Sequence, residues 1–590
     1  MTFLAKLCEG SIRKFFCVLK YSYRAILLRV KMLFFGLYHP RYYPRDIRRL
    51  SQNITNTQED KSTGIDRSHW NFLKMPTERE NSELPLIRLA GLRVPVDDIS
   101  YYWGSDCNHA EAEVLSASHR FHWVLEWISR GFSSNDCGVI AGFVTRWLDK
   151  YSSLRSGIAW QPYTVSERIC NLTVFLFYLH DKMPGDPLSP RLIAKIKEHA
   201  VFLSENLEYP ASGEVNNHIL NNGRALYSSG MLLDMPQISA LGRSVMTRHL
   251  PEMISKSGYL NEGSSHYQLL LTRSVLECEI IAREMKDQTF VNFLRPIAES
   301  MLTGSARLFK SSLIDADQGP RVGDVSPDVP FEWFLPMKSC SWKRLWNSEV
   351  RAKTLRVAET EIIDGWLSTE VNNWGVCAFI HSDNTSYPVG HSHEDFGSFW
   401  MSHDGCDLIV DVGRLTYETC SEHSRSGVEA ISHSIALLDG RAILEGGKGW
   451  RSCNTCGTAR SVRVSLENDK EIFWSVDSKQ ASWQRTLSFQ NNAVIISDEI
   501  EPFNDNAITE CAIPLAPIWN LNKVGIDRWL LSSNAINQKF SILGSDNVVW
   551  SSGQTSYYPE YGVSCSAPIL HWRHRGDGRK FIVSCRITSS

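Results

Sequence analysis

The chain has 590 residues, more than one hydrophobic core supports, so two or more domains are expected. It is 43% hydrophobic and 22% charged with a formal net charge of -3, which leaves no electrostatic footprint for nucleic acid. Its 15 Cys form no regular framework, and Cys453 with Cys456 lacks the second pair that a zinc site needs.

In chain order, residues 1–50 come first as a basic amphipathic segment. Phe15, Leu19, Tyr23, Leu27, Val30 and Phe34 recur at helical spacing, while Arg13, Lys14, Lys20, Arg24 and Lys31 break every apolar run. No run approaches the roughly 20 apolar residues of a membrane span, and there is no compact signal-peptide core. Two readings stand: peripheral contact with a membrane surface, or packing on the body of the protein. Residues 51–99 read as a linker and lead-in, polar from Ser51 to Asp66.

From 100 to 368 the period is helical. Phe121, Val124, Leu125 and Ile128 share a face, as do Val139, Phe143, Val144, Trp147 and Leu148. Ser189-Pro190 predicts a helix start. From 369 to 590 the period drops to two: Val462, Val464 and Leu466 alternate with polar residues, and Asn491-Asn492 predicts a turn between two strands. Helices first and short strands second predict an all-α domain followed by an antiparallel β-sandwich.

Three polar clusters stand out. Asn216-Asn217-His218, followed by Asn221-Asn222-Gly223-Arg224, reads either as a polar site or as a capping segment. Asn261-Glu262-Gly263-Ser264-Ser265-His266-Tyr267-Gln268 puts a Tyr in the first turn of a helix; it reads as a proton donor or as a buried Tyr with a satisfied hydroxyl. Gly390-His391-Ser392-His393-Glu394-Asp395, then Asp411 and His433, combines imidazoles and carboxylates as zinc sites do. His391 and His393 face one side if the segment is a strand, or take two roles if it bends.

In this order the clusters resemble the heparinase II/III-like polysaccharide lyases, in the branch found in bacterial surface-polysaccharide gene clusters. Trp160-Gln161-Pro162-Tyr163 with Arg168, Asn171 and Leu172, the run Asp407–Gly413 ending at Tyr417, and Tyr557–Gly562 add to the likeness, which spans roughly 100–590. It departs from the family pattern in lacking Pro and a trailing His around Tyr267, and in following His433 with Ser-Ile.

The resemblance implies an (α/α) toroid of helical hairpins before the sandwich, the two jointly forming an active site. It implies a carbon-oxygen lyase that cleaves a uronic-acid polymer by β-elimination, with Asn217, His218, Tyr267 and His391 as catalytic residues. His393, Asp411 and His433 would hold a structural zinc or other divalent cation, with no organic cofactor. Asn216, Arg224, Gln268 and Arg414 are candidates for contact with the anionic polysaccharide; the cations, like Arg273, read equally as structural ion pairs. The cell envelope or periplasm is the expected compartment, with the cytoplasm or a membrane surface as alternatives. A glycan-binding or assembly protein that keeps the fold, and a metal-dependent glycan hydrolase, are the alternatives.

Overall fold

The computed structural model describes residues 39–55, 86–103, 110–129, 133–152, 155–212, 215–309, 319–330, 360–380, 390–418, 423, 425–443, 459–465, 471–576 and 578–589. The amphipathic pattern of residues 1–37 and the Cys453/Cys456 pair lie outside them. The α-helices are α1 (Arg45–Thr55), α2 (Ala112–Arg120), α3 (His122–Ser129), α4 (Ser134–Lys150), α5 (Pro162–Lys182), α6 (Leu188–Glu205), α7 (Asn217–Leu232), α8 (Pro236–Met253), α9 (Ser265–Glu284) and α10 (Gln288–Phe309). Antiparallel strands follow, so the fold is a helical N-terminal part and a C-terminal β-sandwich. The change of period decides this. In α6 the buried Leu192, Ile193, Ile196, Ala200 and Leu203 recur every three or four residues. In the strand Ala481–Phe489 every second residue is buried. No helix among the described residues is long and apolar enough to cross a membrane.

The described residues group into two compact units, one within 1–69 and 137–253, the other within 70–136 and 254–590. The first unit is helical. Ser51–Thr55, expected to begin a linker, instead completes α1. Ile47 and Ile54 are buried and Ser51 Oγ donates to the Ser204 carbonyl at 2.7 Å, which anchors the stretch despite its polar composition. Helix α6 starts two residues before Pro190, because Asp186 rather than Ser189 receives the first free N–H, from Leu188 at 2.8 Å. Helices α7 and α8 pack backbone to backbone: a Cβ on Gly242 would lie 2.3 Å from the Tyr227 nitrogen, and one on Gly230 2.4 Å from that of Ser239. That contact fixes the helix whose first turn carries Asn217 and His218. The Arg168 side chain of α5 is buried, its guanidinium 4.6 Å from the Trp147 ring and 5.5 Å from the Trp160 ring.

The second unit holds a short hairpin (Leu86–Leu89 with Leu92–Pro95), helices α2, α3, α9 and α10, one eight-stranded sheet and two five-stranded sheets. Ala481–Phe489 pairs with Ala493–Pro502 in register, and the expected turn lies between them at Gln490–Asn492. Arg485, fully buried on the first of these strands, makes a bidentate pair with Asp498 at 2.8 Å on both arms. Its remaining nitrogen donates to the carbonyls of Gly397 (3.0 Å) and Ser434. Gly397 and Ser434 lie beside the His393 and His433 segments, so one guanidinium ties both segments to the sandwich core.

Replacing Arg485 by Met strands a buried carboxylate, and the expected loss is about 3–5 kcal/mol, read from urea midpoints. Adding Asp498→Leu is expected to restore most of it. A second expectation concerns Asp407, on the strand Cys406–Ile409. Burial raises its pKa to about 6 against the opposing charge of Arg321. An unfolded Asp titrates near 3.9, so the folded chain holds this proton more tightly. The resulting stability is complete below about pH 4 and is lost as pH rises through about 6. Asp407→Asn is therefore expected to exceed the wild type in stability at pH 7, by on the order of 3 kcal/mol, and to match it at pH 4; melting temperatures across that range measure the gap.

Candidate active site

In the first unit, Asn216 caps α7, its side-chain oxygen accepting the His218 N–H at 3.2 Å. The capping reading of that residue therefore holds. Asn217 opens the helix and is buried, whereas the His218 side chain keeps 39% of its exposure. The His218 ring lies 4.5 Å from that of Tyr163, and its Nδ1 is 3.3 Å from Glu208 Oε1. Arg224, a candidate for substrate contact, is instead buried in an ion pair with Glu167 at 2.9 Å and bonds Asn221 at 3.0 Å. An uncompensated guanidinium at that depth would be costly, so the pair explains its presence.

In the second unit, Ser264 caps α9 by accepting the Tyr267 N–H at 3.1 Å, which sets Tyr267 in the first turn. Gln268, also a candidate for substrate contact, has a different task. Its amide is fully buried, accepts the Leu260 N–H at 2.7 Å and donates to the Gly258 carbonyl at 2.9 Å, so it stitches the chain entering α9. His391 and His393 lie on an irregular loop rather than a strand, and the bend lets them take separate positions.

The His391 ring is stacked on Tyr267, with centroids 3.5 Å apart and planes 11° apart. The Tyr267 hydroxyl meets the Tyr417 hydroxyl at 3.1 Å, and the latter stands 3.5 Å from His391 Nδ1. Burial drives the pKa of Tyr267 well above the usual phenol value; the Tyr417 hydrogen bond opposes this and the Asp324 charge adds to it. Tyr267 accordingly carries its proton and is equipped to donate it. Arg414 stacks over Tyr417 at 4.5 Å and reaches to 3.4 Å from Asp324.

Asp324 was not visible as a site residue in the sequence. It sits on an irregular stretch, 319–330, and is almost wholly buried. One carboxylate oxygen lies 3.0 Å from His391 Nδ1 and the other 3.0 Å from His393 Nε2. Burial opposes its ionisation, but the hydrogen bonds from the two imidazoles hold the carboxyl far below the ordinary range. The stretch is pinned by Ser264 Oγ donating to the Asp324 carbonyl (2.7 Å) and by the Gly323 N–H donating to Asp411 (2.9 Å). Gly323 has φ +76°, and a Cβ there would lie 2.5 Å from the Gly263 carbonyl oxygen and 2.7 Å from that of His391. Other residues that sequence reasoning left without a role are Glu262, 3.7 Å from His391 Nε2, and Tyr561, whose hydroxyl accepts the Tyr417 N–H at 2.9 Å. Tyr561 in turn donates to Glu111. The only signal for Tyr417 and Tyr561 was their place in runs that resemble family motifs.

His393, Asp411 and His433 come together: one ligand atom from each lies within 4.8 Å of the others, and all three residues are buried. His393 Nδ1 and both ring nitrogens of His433 are buried without a hydrogen bond. Unpaired polar nitrogens of this kind in a native core are rare and ask for a partner. Burial lowers the pKa of His393, but the Asp411 charge and the Asp324 hydrogen bond raise it to about 10, a measure of how strongly the spot attracts positive charge. A cation suits the group: His393 would ligate through Nδ1 while its Nε2–H is oriented by Asp324.

Residues 378–534 match the family model described as Heparinase II/III-like, C-terminal. No curated protein matches the sequence. Solved structures share the fold. A crystal structure of heparinase III matches at TM-score 0.65 and 13% identity, over 92% of this chain and 89% of its own. Another heparinase III gene product matches at 0.59 and 14%, over 92% and 88%. A mutant of the heparan sulfate lyase HepC from Pedobacter heparinus matches at 0.55 and 13%, over 92% and 87%.

Proposed function

We propose that the chain, whose residues 378–534 match the model described as Heparinase II/III-like, C-terminal, is a polysaccharide lyase that cleaves a uronic-acid-containing polymer by β-elimination. The observation that carries this reading is the buried Tyr267, stacked on His391 and hydrogen-bonded to Tyr417. Elimination needs a donor at the departing O4 and consumes no water, and a buried tyrosine held neutral supplies one. The likeness to a heparan sulfate lyase supports an anionic polysaccharide as the substrate class, and the compartment we propose is the cell envelope. The helical domain is taken as 100–368 and the sandwich as 369–590.

On this reading Asn217 and His218 stabilise the charge that grows on the uronate carboxylate when the C5 proton leaves. A histidine takes the C5 proton, the electron pair of the C5–H bond moves toward the carboxylate, the C4–O4 bond breaks with its pair left on O4, and O4 takes the Tyr267 proton. The product ends in a 4,5-unsaturated sugar. His391, held between Asp324 and Glu262, fixes the Tyr267 ring by stacking. His393, Asp411 and His433 would hold zinc or a similar divalent ion, which supplies structural bracing for the loop that carries His391.

Wild-type protein incubated with a panel of uronate polymers is expected to raise ultraviolet absorbance from the unsaturated ends. Tyr267→Phe and His218→Ala are expected to lower that rate at least roughly 100-fold. Saturated reducing ends alone would refute elimination in favour of hydrolysis. For the metal, zinc added to chelator-treated protein is expected to raise the melting temperature, and His433→Ala to remove most of that rise. A melting temperature indifferent to zinc, cobalt and calcium would count against the site.

A further inference from the structure

The second half of the first polar cluster, Asn221-Asn222, has no task in the chemistry above, and Asn222 is among the most deeply buried amides of α7. Each of its atoms has a partner. Its oxygen accepts the Glu208 N–H at 3.0 Å, and its nitrogen donates to Ser166 Oγ at 3.0 Å and to Glu208 Oε2 at 3.3 Å. The amide therefore grips Glu208 at both backbone and carboxylate. The other carboxylate oxygen, Oε1, faces His218 Nδ1 at 3.3 Å. Glu208 is buried with 7% of its side chain exposed, so this orientation is held by the interior and not by solvent.

A carboxylate only accepts hydrogen bonds. The nitrogen of His218 that faces Glu208 must then carry the hydrogen, and in the neutral ring the other nitrogen, Nε2, carries the lone pair. We propose that Glu208, clamped by Asn222, is a positioning residue that fixes His218 as its Nδ1–H tautomer and so makes Nε2 a proton acceptor. The proposal rests on the lyase reading and changes one role in it: His218 acts as the base, no longer as a donor to the substrate carboxylate. His218 Nε2 takes the C5 proton, the C5–H electron pair flows toward the carboxylate, and Tyr267 gives its own proton to O4. Both groups are restored by exchange with water. Asn217 then remains the donor that neutralises the substrate carboxylate.

The test separates the proposal from the reading it rests on. The full chain is labelled with 15N-histidine, and the His218 signal is assigned by its loss in His218→Gln. Its tautomer is read at pH 8 with no polysaccharide present. The expected state is Nδ1–H with an unprotonated Nε2. In Glu208→Gln the new carbonyl must face the Asn222 amide, which puts the new NH2 against Nδ1. The tautomer is expected to switch to Nε2–H, and kcat on a cleaved polymer to fall roughly 10²–10⁴-fold with KM little changed. Asn222→Ala frees the carboxylate and is expected to give a mixture of tautomers. Wild type with Nε2–H, a doubly protonated ring at pH 8, or a tautomer unmoved by Glu208→Gln overturns the proposal. If no uronate polymer is cleaved, the lyase reading fails while the tautomer result still decides the role of Glu208.

Discussion

The buried carboxylate of Asp324 organises the second unit's polar centre. Two imidazoles of different purpose, His391 and His393, share it through its two oxygens. Each oxygen faces one ring, so a displacement of the carboxylate is felt by both. A carboxylate at this depth would ordinarily prefer to be neutral, and it stays ionised because donors surround it. Arg414 adds a guanidinium, and Ser264 and Asp411 hold the backbone on either side. The consequence is coupling: the stacked Tyr267–His391 pair and the His393–Asp411–His433 group are one electrostatic object.

The sandwich contributes rigidity to that object from below. Arg485 reaches the carbonyls beside both histidine segments, and its own charge is balanced by Asp498, within the same pair of strands. The loops that hold the site have little regular structure of their own, so they depend on such side-chain ties to the sheets. The first unit solves the equivalent problem with glycine: Gly230 and Gly242 bring α7 and α8 into backbone contact, and the first turn of α7 is thereby set. Functional groups on rigid elements lose less of their geometry to motion than groups on free loops.

Much of this was legible in the sequence. The change from a helical to an alternating period gave helices before strands, and the capping pattern around Ser264 put Tyr267 in a first turn. The ordered polar clusters pointed to Tyr267, His391 and the His393–Asp411–His433 group, which the fold brings together in pairs and triads. What was hidden were the partners. Asp324 lies in a stretch with no period and has partners 67, 69 and 90 residues further along; no local pattern encodes that. Glu208 is an ordinary residue between helices and Asn222 an ordinary residue within α7 until their side chains meet. Gln268 and Arg224 misled in the opposite way: they sit beside catalytic-looking neighbours, but helical spacing turns them inward, where they satisfy backbone and carboxylate groups. The polar stretch after Ser51 looked like a linker because the buried Ile54 has only polar residues immediately on either side of it within the stretch.

The contacts of Gly323 bear on how the polypeptide reaches this state. Its amide is bound by Asp411, and its α-carbon leaves room for carbonyls from residues 263 and 391. Three distant stretches therefore meet at a point where no side chain fits, and none can approach until the others are in position. Closing loops of this length is slow relative to forming a helix or a hairpin. During synthesis the acidic group at 324 emerges well before the histidines that face it, and the first hydrogen-bond partners of its segment are Ser264 and Ser265, already made. The centre cannot be complete until the chain through His433 has been made.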